Sequence, residues 1–386
     1  MAAAGAIHAQ SNPQARTRGV SEPVVIGEKL LIRSEILNEM RPLLIAKPAD
    51  YEQGTDRYPV LYLLDGEDHF AHVAGAVGFL GDNDRIPRML VVGIVNTNRG
   101  RDLTPPSTAE IDLRFNPVNG GADTFLRFLT DELIPYVDRN YRTRPYRVLA
   151  GHSFGGLFAL HTLTRRPDVF RAYIVISASF NWNHRALIAD TNTFFAKTRE
   201  LDSDLYITTA DDDPETRSAL RRFCAVLDER APRGFRWSLH EMPDQSHVSV
   251  PHLSIYSGLD TIFEAWHLSN PLDLYDQGGL DAVRRHFEAA KRFGYDRTTP
   301  PFTVSLIVAG LVQAGRLEEA GELVLHDPKS YPPPWNQLDA LARGYQKRGD
   351  TAQEVRYLKL SLDRNHANEY ARKRLKELGV DAQPRP

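Results

Sequence analysis

One serine stands in a setting that favours nucleophilic chemistry. Ser153 is the centre of Gly151-His-Ser153-Phe-Gly155, a G-x-S-x-G pattern. An apolar stretch at 147–150 precedes it and predicts a buried strand, and an amphipathic stretch from Gly156 predicts a helix. Glycines on both sides of a sharp strand-to-helix turn let neighbouring backbone approach the bend. The serine hydroxyl is then exposed at the positive end of the helix, so the pattern predicts a catalytic nucleophile.

A histidine beyond the last predicted strand is the expected base, because a serine hydroxyl alone is a weak nucleophile. Where a G-x-S-x-G serine works with an acid and a histidine, they follow in the chain order serine, acid, histidine. His247 lies just beyond the strand predicted at 236–241 and is assigned as the base. His240 falls inside that strand, and His252 opens a predicted helix and remains the alternative.

The acid is expected after the preceding strand, predicted at 205–209. Four carboxylates crowd there: Asp211, Asp212, Asp213 and Glu215. The spacing from Ala210 to Asp213 matches a small-x-x-acid turn and favours Asp213, with the other three left open. An acid just before Pro214 also suits a helix N-terminus, which is the competing role for these side chains. The acid would hold the histidine tautomer and stabilise the imidazolium.

Two backbone N–H groups are candidates for an oxyanion hole. Phe154 follows the nucleophile directly, so its N–H is the first donor. The second should come from the loop after the strand predicted at 58–64, where Gly66 permits a tight turn and the Glu67 N–H follows. In this role the Glu67 side chain has no part.

The elements that must position these groups alternate between strand and helix. The segment 24–48 predicts two antiparallel strands joined near Asn38. Continuous apolar runs then predict strands buried on both faces, at 58–64, 89–95, 147–150, 172–177, 205–209 and 236–240. Helical periodicity falls between them at 124–136, 156–165, 215–230 and 254–266. This alternation predicts an α/β domain with a mostly parallel central sheet covered on both faces.

The pattern changes after about residue 270, where helical periodicity continues without strands. Gly315 and Gly349 lie in similar segments 34 residues apart, which is the period of tetratricopeptide helix pairs. We therefore predict an all-α, tetratricopeptide-like C-terminal region, with a generic helical bundle as the alternative. The domain division is 1–20, 21–270 and 271–386.

Residues 1–20 are small, apolar and then polar, and they have two interpretations. They could be the remnant of a signal peptide, which would make the protein exported, or a disordered N-terminus. The compartment stays open, because a chain with one cysteine, Cys224, forms no internal disulfide and suits either redox environment.

Composition excludes several function classes. The net charge of −3 gives no support to general binding of nucleic acid or anionic membranes. No apolar run is long enough for a transmembrane helix. A single cysteine excludes CxxC metal and redox sites, and no metal site is predicted.

Several motifs together resemble a known family. Tyr58-Pro-Val-Leu-Tyr-Leu-Leu-Asp-Gly66, Gly151-His-Ser-Phe-Gly-Gly156 and the late His247 are similar to the putative-esterase family of α/β-hydrolases. Its members include enterobactin esterases, IroE-like siderophore esterases, feruloyl esterases and esterase D. The segments 96–105 and 177–182 resemble the IroE-like branch. The resemblance covers about residues 24–268 and implies an α/β-hydrolase fold and hydrolysis of a small-molecule carboxylic ester without a cofactor.

Four side chains are predicted to line the substrate pocket, because ligands bind beyond the carboxyl ends of the strands. They are Arg99, Arg101, Phe180 and Trp182. Arginines with aromatic rings suit an aromatic or anionic acyl group, such as a siderophore or feruloyl-type ester. The competing interpretation is that the arginines form structural ion pairs with Asp102, Asp112 or Asp123.

The predicted function is therefore a serine carboxylesterase. An acyltransferase of the same fold would pass the acyl group to an alcohol instead of water, and an inactive binding or scaffold protein would retain only the fold. The C-terminal helices could contact a protein partner or a second copy of the chain, or could cover the pocket.

Overall fold

The computed structural model describes residues 22–326 and 333–381, so segment 1–20 and its two interpretations lie outside the described residues. Within them, eight strands form one sheet. The strands are β1 Glu28–Ser34, β2 Glu39–Ala46, β3 Tyr58–Leu63, β4 Leu90–Ile94, β5 Thr143–His152, β6 Ala172–Ile176, β7 Asp204–Thr209 and β8 Arg236–Glu241. Their order in the sheet is β1-β2-β4-β3-β5-β6-β7-β8.

The sheet is mostly parallel, as predicted. β1 pairs with β2, and β2 with β4, in antiparallel fashion, and the turn between β1 and β2 places Asn38 at a φ of 52°. All later neighbours pair in parallel. Every residue of β3, β4, β6 and β7 is buried, as expected for continuous apolar runs between two covered faces.

Helices cover both faces of this sheet. They are α1 Gly66–Asp82, α2 Arg99–Leu103, α3 Glu110–Phe115, α4 Ala122–Arg127, α5 Ile134–Asn140, α6 Phe154–Arg165, α7 Trp182–Lys197, α8 Pro214–Arg230 and α9 Val250–Ile262. A π-helical turn at Phe128–Leu133 joins α4 to α5. Successive residues of β3 enter opposite cores, Tyr62 the core with α6 and Leu63 the core with α1 and α9. The fold is that of an α/β-hydrolase.

The α-helices after α9 form a third core. They are α10 Pro271–Glu288, α11 Pro301–Gln313, α12 Leu317–His326, α13 Trp335–Arg348, α14 Thr351–Arg364 and α15 Glu369–Glu377. Gly315 and Gly349 lie between the helices of two successive hairpins, at φ of 76° and 79°, where a side chain would strain the backbone. The helical C-terminal region is confirmed. Its tetratricopeptide-like character and the domain boundary at 270 stay predictions.

The C-terminal region joins the sheet at the amino ends of the strands. Arg292 pairs with Asp204 at the first residue of β7. Arg144, at the second residue of β5, donates from Nη1 to the Gly294 carbonyl at 2.6 Å. Because Ser153 follows the carboxyl end of β5, these contacts lie at the opposite edge of the sheet. They therefore give no support to the idea that the helices cover the pocket.

Candidate active site

Ser153 sits on a strained turn between β5 and α6. Its φ of 57° and ψ of −112° lie in a region that L residues rarely occupy. A Cβ at Gly151 would lie 2.3 Å from the carbonyl carbon of Gly155, so the bend requires glycine at this position. The partly exposed hydroxyl of Ser153 lies 3.4 Å from the hydroxyl of Ser179. This is the geometry that the G-x-S-x-G pattern predicts.

The carboxylate that meets His247 is Asp212. Its Oδ1 lies 2.9 Å from His247 Nδ1, and its Oδ2 accepts from Thr209 Oγ1 at 2.7 Å and from the Ala210 N–H at 3.2 Å. Asp212 is only 7% exposed. Burial disfavours the charged form, but the hydrogen bonds from His247, Thr209 and Ser177 outweigh it and hold the pKa of Asp212 well below its usual range. An ionised Asp212 fixes the proton of His247 on Nδ1.

Asp213, the acid favoured by spacing, does not reach His247. Its Oδ1 accepts from the N–H groups of Glu215 at 2.8 Å and Thr216 at 3.0 Å, so it caps the N-terminus of α8. Asp211 is exposed and pairs with Arg217 at 3.1 Å. The competing capping role thus belongs to Asp213, and the neighbouring Asp212 takes the place expected for Asp213.

His247 lies on the loop between β8 and α9, and its side chain is 45% exposed. Its ring centroid lies 4.5 Å from that of His152. Among the described residues no hydrogen bond joins His247 to Ser153; proton transfer between the two side chains would need a separation of about 2.6–3.2 Å or one bridging water. The other two candidates lie elsewhere: His240 stacks on Tyr206 at the surface of β8, and His252 faces His72.

Phe154 and Glu67 both occupy the first turn of a helix, α6 and α1 respectively. N–H groups in a first turn have no acceptor within their own helix, so both are available to an oxyanion. The Glu67 carboxylate is engaged by Asn96, which donates from its N–H at 3.1 Å and from Nδ2 at 2.8 Å. The side chain therefore serves the loop rather than the predicted oxyanion hole.

Arg99 and Arg101 form structural ion pairs. Arg99 holds Asp65 with two hydrogen bonds of 2.6 and 2.9 Å and donates to the His152 carbonyl at 3.1 Å. Arg101 pairs with Asp102 at 2.6 Å and Glu39 at 2.8 Å. Structural ion pairing, the competing interpretation, therefore describes both arginines. The partner of Arg99 is Asp65, which was not among the expected partners. Arg99 ties the loop after β3 to the turn that carries Ser153.

Phe180 and Trp182 do not offer a surface to a ligand. Phe180 is 2% exposed and packs on Phe223, and Trp182 is 5% exposed. The Trp182 ring contacts Phe154 edge-on at 5.2 Å, and its Nε1 donates to the Pro105 carbonyl at 2.9 Å. The predicted contact of Phe180 and Trp182 with substrate is wrong, because both rings are buried in the packing that anchors the loop after β6.

A row of histidines leads away from His247, and sequence reasoning missed it. The His152 ring neighbours His69 at 5.9 Å, and His69 Nδ1 lies 3.2 Å from His72 Nε2. Burial, reinforced by the neighbouring histidines, lowers the pKa of His72 and of His152 to about 4. Both rings are therefore neutral at pH 7. The spacing of His69 and His72 on a helix was the available signal, but nothing local pairs them with His152.

Comparison with known proteins places the chain in a family. A family model described as "Putative esterase" matches residues 34–220. The ferri-bacillibactin esterase BesA of Bacillus subtilis is 30% identical over 246 residues, which are 58% of this chain and 84% of that protein. The chain belongs to the putative esterase family. It is a carboxylic ester hydrolase, in keeping with the resemblance of its motifs.

Two further relatives of this esterase extend the comparison. The siderophore triacetylfusarinine C esterase of Aspergillus fumigatus is 31% identical over 164 residues, 38% of this chain and 52% of that protein. The chain thus spans about half the length of that relative. An IroE-like serine hydrolase from Shewanella oneidensis superposes with a TM-score of 0.61 at 28% identity, covering 77% of this chain and 97% of the other.

Two further properties concern the whole described chain. Within residues 22–326 and 333–381, no group of three or more His, Cys, Asp or Glu side chains is arranged to hold a metal ion. None of the helices in that part of the chain has the length and apolar character needed to cross a membrane.

Proposed function

We propose that this esterase works through a covalent acyl-enzyme on Ser153, with His247 as base and Asp212 as acid. The observation that carries the proposal is the buried Asp212, which fixes Nδ1 of His247 at 2.9 Å. The strained turn that exposes Ser153 supports it further. Together these supply the three roles of a serine triad in the chain order serine, acid, histidine.

In the first half-reaction, Ser153 Oγ forms a bond to the ester carbonyl carbon while its proton passes to Nε2 of His247. The carbonyl oxygen becomes an oxyanion, which the N–H groups of Phe154 and Glu67 stabilise. Collapse of this intermediate breaks the bond to the alcohol, which takes the proton from His247. Water then repeats the sequence on the acyl-enzyme and releases the acid.

The substrate is proposed to be a siderophore or a feruloyl-type ester rather than a simple short-chain ester. The names of two relatives support a siderophore ester, since one is a ferri-bacillibactin esterase and the other a siderophore triacetylfusarinine C esterase. A turnover panel of a catecholate trilactone, a feruloyl ester and an acetate ester tests it. Preference for acetate would contradict the substrate class without contradicting the triad.

The triad is tested by Ser153→Ala, with Ser257→Ala on α9 as the matched control. Ser153→Ala should abolish turnover of p-nitrophenyl acetate while circular dichroism and the unfolding midpoint stay close to wild type. A fluorophosphonate should add one label to the wild type and to Ser257→Ala, detected by intact mass, and none to Ser153→Ala. Labelling or full turnover in Ser153→Ala would refute the proposed nucleophile.

A further inference from the structure

Ser177 adopts a backbone conformation that residues with a side chain disfavour. It follows β6 directly, and its φ of 39° lies in the left-handed region. The residue is polar and only 3% exposed. A strained residue of this kind persists only where the surrounding contacts hold it, and such residues concentrate at functional sites.

Strained residues mark the carboxyl edge of three neighbouring strands. Asp65, Ser153 and Ser177 lie just beyond the ends of β3, β5 and β6, with φ values of 54°, 57° and 39°. Of the non-glycine residues with positive φ in the described chain, only Asp65 and Ser177 are buried. The conformation of Asp65 is accounted for by its ion pair with Arg99. Ser177 requires a partner of its own.

The partner of the Ser177 hydroxyl is Asp212. The N–H of Ser177 donates to the Thr208 carbonyl at 2.9 Å, which holds the residue beside β7. The Ala210 N–H donates to two oxygens, Ser177 Oγ at 3.1 Å and Asp212 Oδ2 at 3.2 Å. Because Ser177 Oγ accepts this N–H, its own proton is available to the carboxylate, and the hydroxyl forms a hydrogen bond with Asp212.

Hydroxyl groups at the ends of two strands hold Asp212. Thr209 of β7 donates to Oδ2 at 2.7 Å, and Ser177 reaches the same carboxylate from the end of β6. These bonds restrict rotation of the carboxylate, so Oδ1 stays directed at His247 Nδ1, 2.9 Å away. Within the described chain Asp212 is the only hydrogen-bond partner of the His247 ring, and the His247 side chain is 45% exposed. The orientation of the imidazole therefore depends on the orientation of Asp212.

We propose that Ser177 is a positioning residue, whose hydroxyl orients Asp212 and, through Asp212, the imidazole of His247. The strained backbone of Ser177 is the conformation that brings this hydroxyl to the carboxylate. The inference rests on the proposed function, because it takes Asp212 as the acid and His247 as the base. It adds a residue outside the triad and connects the loop after β6 to the proton transfer.

The turn at Ser177 also packs against the turn that carries Ser153, and the test must separate this packing from the hydroxyl. Ala178 lies against α6, where a Cβ on Gly156 would lie 2.9 Å from the Ala178 Cβ. Ser179 donates its N–H to the Ser153 carbonyl at 3.2 Å. Both contacts depend on the backbone at position 177 and not on its side chain. Glycine preserves that backbone, since it adopts positive φ without strain.

The test is Ser177→Gly, assayed by steady-state turnover of p-nitrophenyl acetate. Loss of a hydrogen bond to a charged group should lower kcat about tenfold. KM should change less than about twofold, because the hydroxyl contacts Asp212 rather than substrate. The unfolding midpoint should stay close to wild type, since relief of strain offsets the lost hydroxyl and the Ala210 N–H keeps Asp212 Oδ2 as acceptor. Ser177→Ala, which keeps the strained backbone, should show the same loss of kcat.

A double-mutant cycle with Asp212→Asn tests whether the hydroxyl acts through the acid. In the Asp212→Asn background the imidazole has already lost its carboxylate, so adding Ser177→Gly should change kcat less than about twofold. A merely structural role would lower kcat by the same factor in both backgrounds. Asn38→Gly is the matched control, because Asn38 also has a positive φ of 52° but lies on the exposed turn between β1 and β2. It should leave kcat and KM at the wild-type values.

Three results would overturn the role of Ser177. They are a kcat close to wild type in Ser177→Gly or Ser177→Ala, a rise in KM without a fall in kcat, and an equal fall in kcat in the wild-type and Asp212→Asn backgrounds. The proposed function is checked separately. Turnover that survives Ser153→Ala would contradict the nucleophile, and full turnover in Asp212→Asn would contradict the acid, whatever the Ser177 variants do.

Discussion

Replacing Asp212 by asparagine tests which carboxylate after β7 serves His247. The Oδ2 position must remain an oxygen, because it accepts from Thr209 Oγ1 and the Ala210 N–H. The new amide nitrogen then takes the Oδ1 position and donates to His247 Nδ1, which must give up its proton. The ring consequently carries its proton on Nε2, where it cannot accept one from Ser153.

The expected loss follows from this wrong tautomer. In a serine triad with the same arrangement, the equivalent change lowers kcat by about 10⁴-fold. Because the His247 side chain is 45% exposed, its ring can rotate and partly restore a productive orientation. We therefore expect a loss of about 10³-fold in kcat, or about 4 kcal/mol of transition-state stabilisation.

The assay is steady-state turnover of p-nitrophenyl acetate, with Asp213→Asn as the matched control. Asparagine caps a helix as well as aspartate does, so the bonds to the Glu215 and Thr216 N–H groups survive. Asp213→Asn should therefore keep kcat within about twofold of wild type. A large loss in Asp213→Asn together with an active Asp212→Asn would refute the assignment of the acid.

Three further predictions concern the framework of the site. Gly151→Ala should abolish activity and lower the unfolding midpoint, because its Cβ would lie 2.3 Å from Gly155 backbone; a fully active variant would contradict the close approach. Asp102→Asn should cost about 1–3 kcal/mol in urea denaturation, since the fully buried Arg41 loses the charge of its 2.7 Å partner while Glu39 still accepts from it at 2.9 Å, and an unchanged free energy of unfolding would contradict this. The pKa of His152 is about 4 in the folded state and about 6.5 when unfolded, so the unfolded chain binds the extra proton and stability should fall from pH 7 to pH 5. His152→Gln should weaken that pH dependence in urea denaturation, and an unchanged slope would count against a neutral, buried ring.

Periodicity and local motifs were sufficient to predict most of the architecture. Apolar runs predicted the buried strands because a strand covered on both faces admits few polar residues, and β3, β4, β6 and β7 follow that rule. The turn at Ser153 was predictable because strand, glycines and helix are contiguous in the chain. The ester hydrolase assignment followed from the same local patterns and agrees with the family of the chain.

Which side chains meet was decided only in three dimensions. Asp212 and Asp213 are adjacent in the chain. Only the direction of the chain after β7 turns Asp212 toward His247 and Asp213 onto the N-terminus of α8. Arg99 pairs with Asp65, 34 residues earlier in the chain, because β3 and β4 are neighbours in the sheet and the loops that follow them lie side by side. Spacing along a sequence determines local conformation, whereas ion pairs and burial depend on neighbours that only the sheet order brings together.

The same distinction separates the residues predicted to line the pocket from the turn at Ser153. By itself the sequence determined the strands, the turn at Ser153 and a histidine on the loop after β8, since each is set by contiguous residues. The tertiary structure decided that Phe180 and Trp182 are buried. Burial is the physical reason, because an aromatic residue after a strand has the same local pattern whether it faces a ligand or the core.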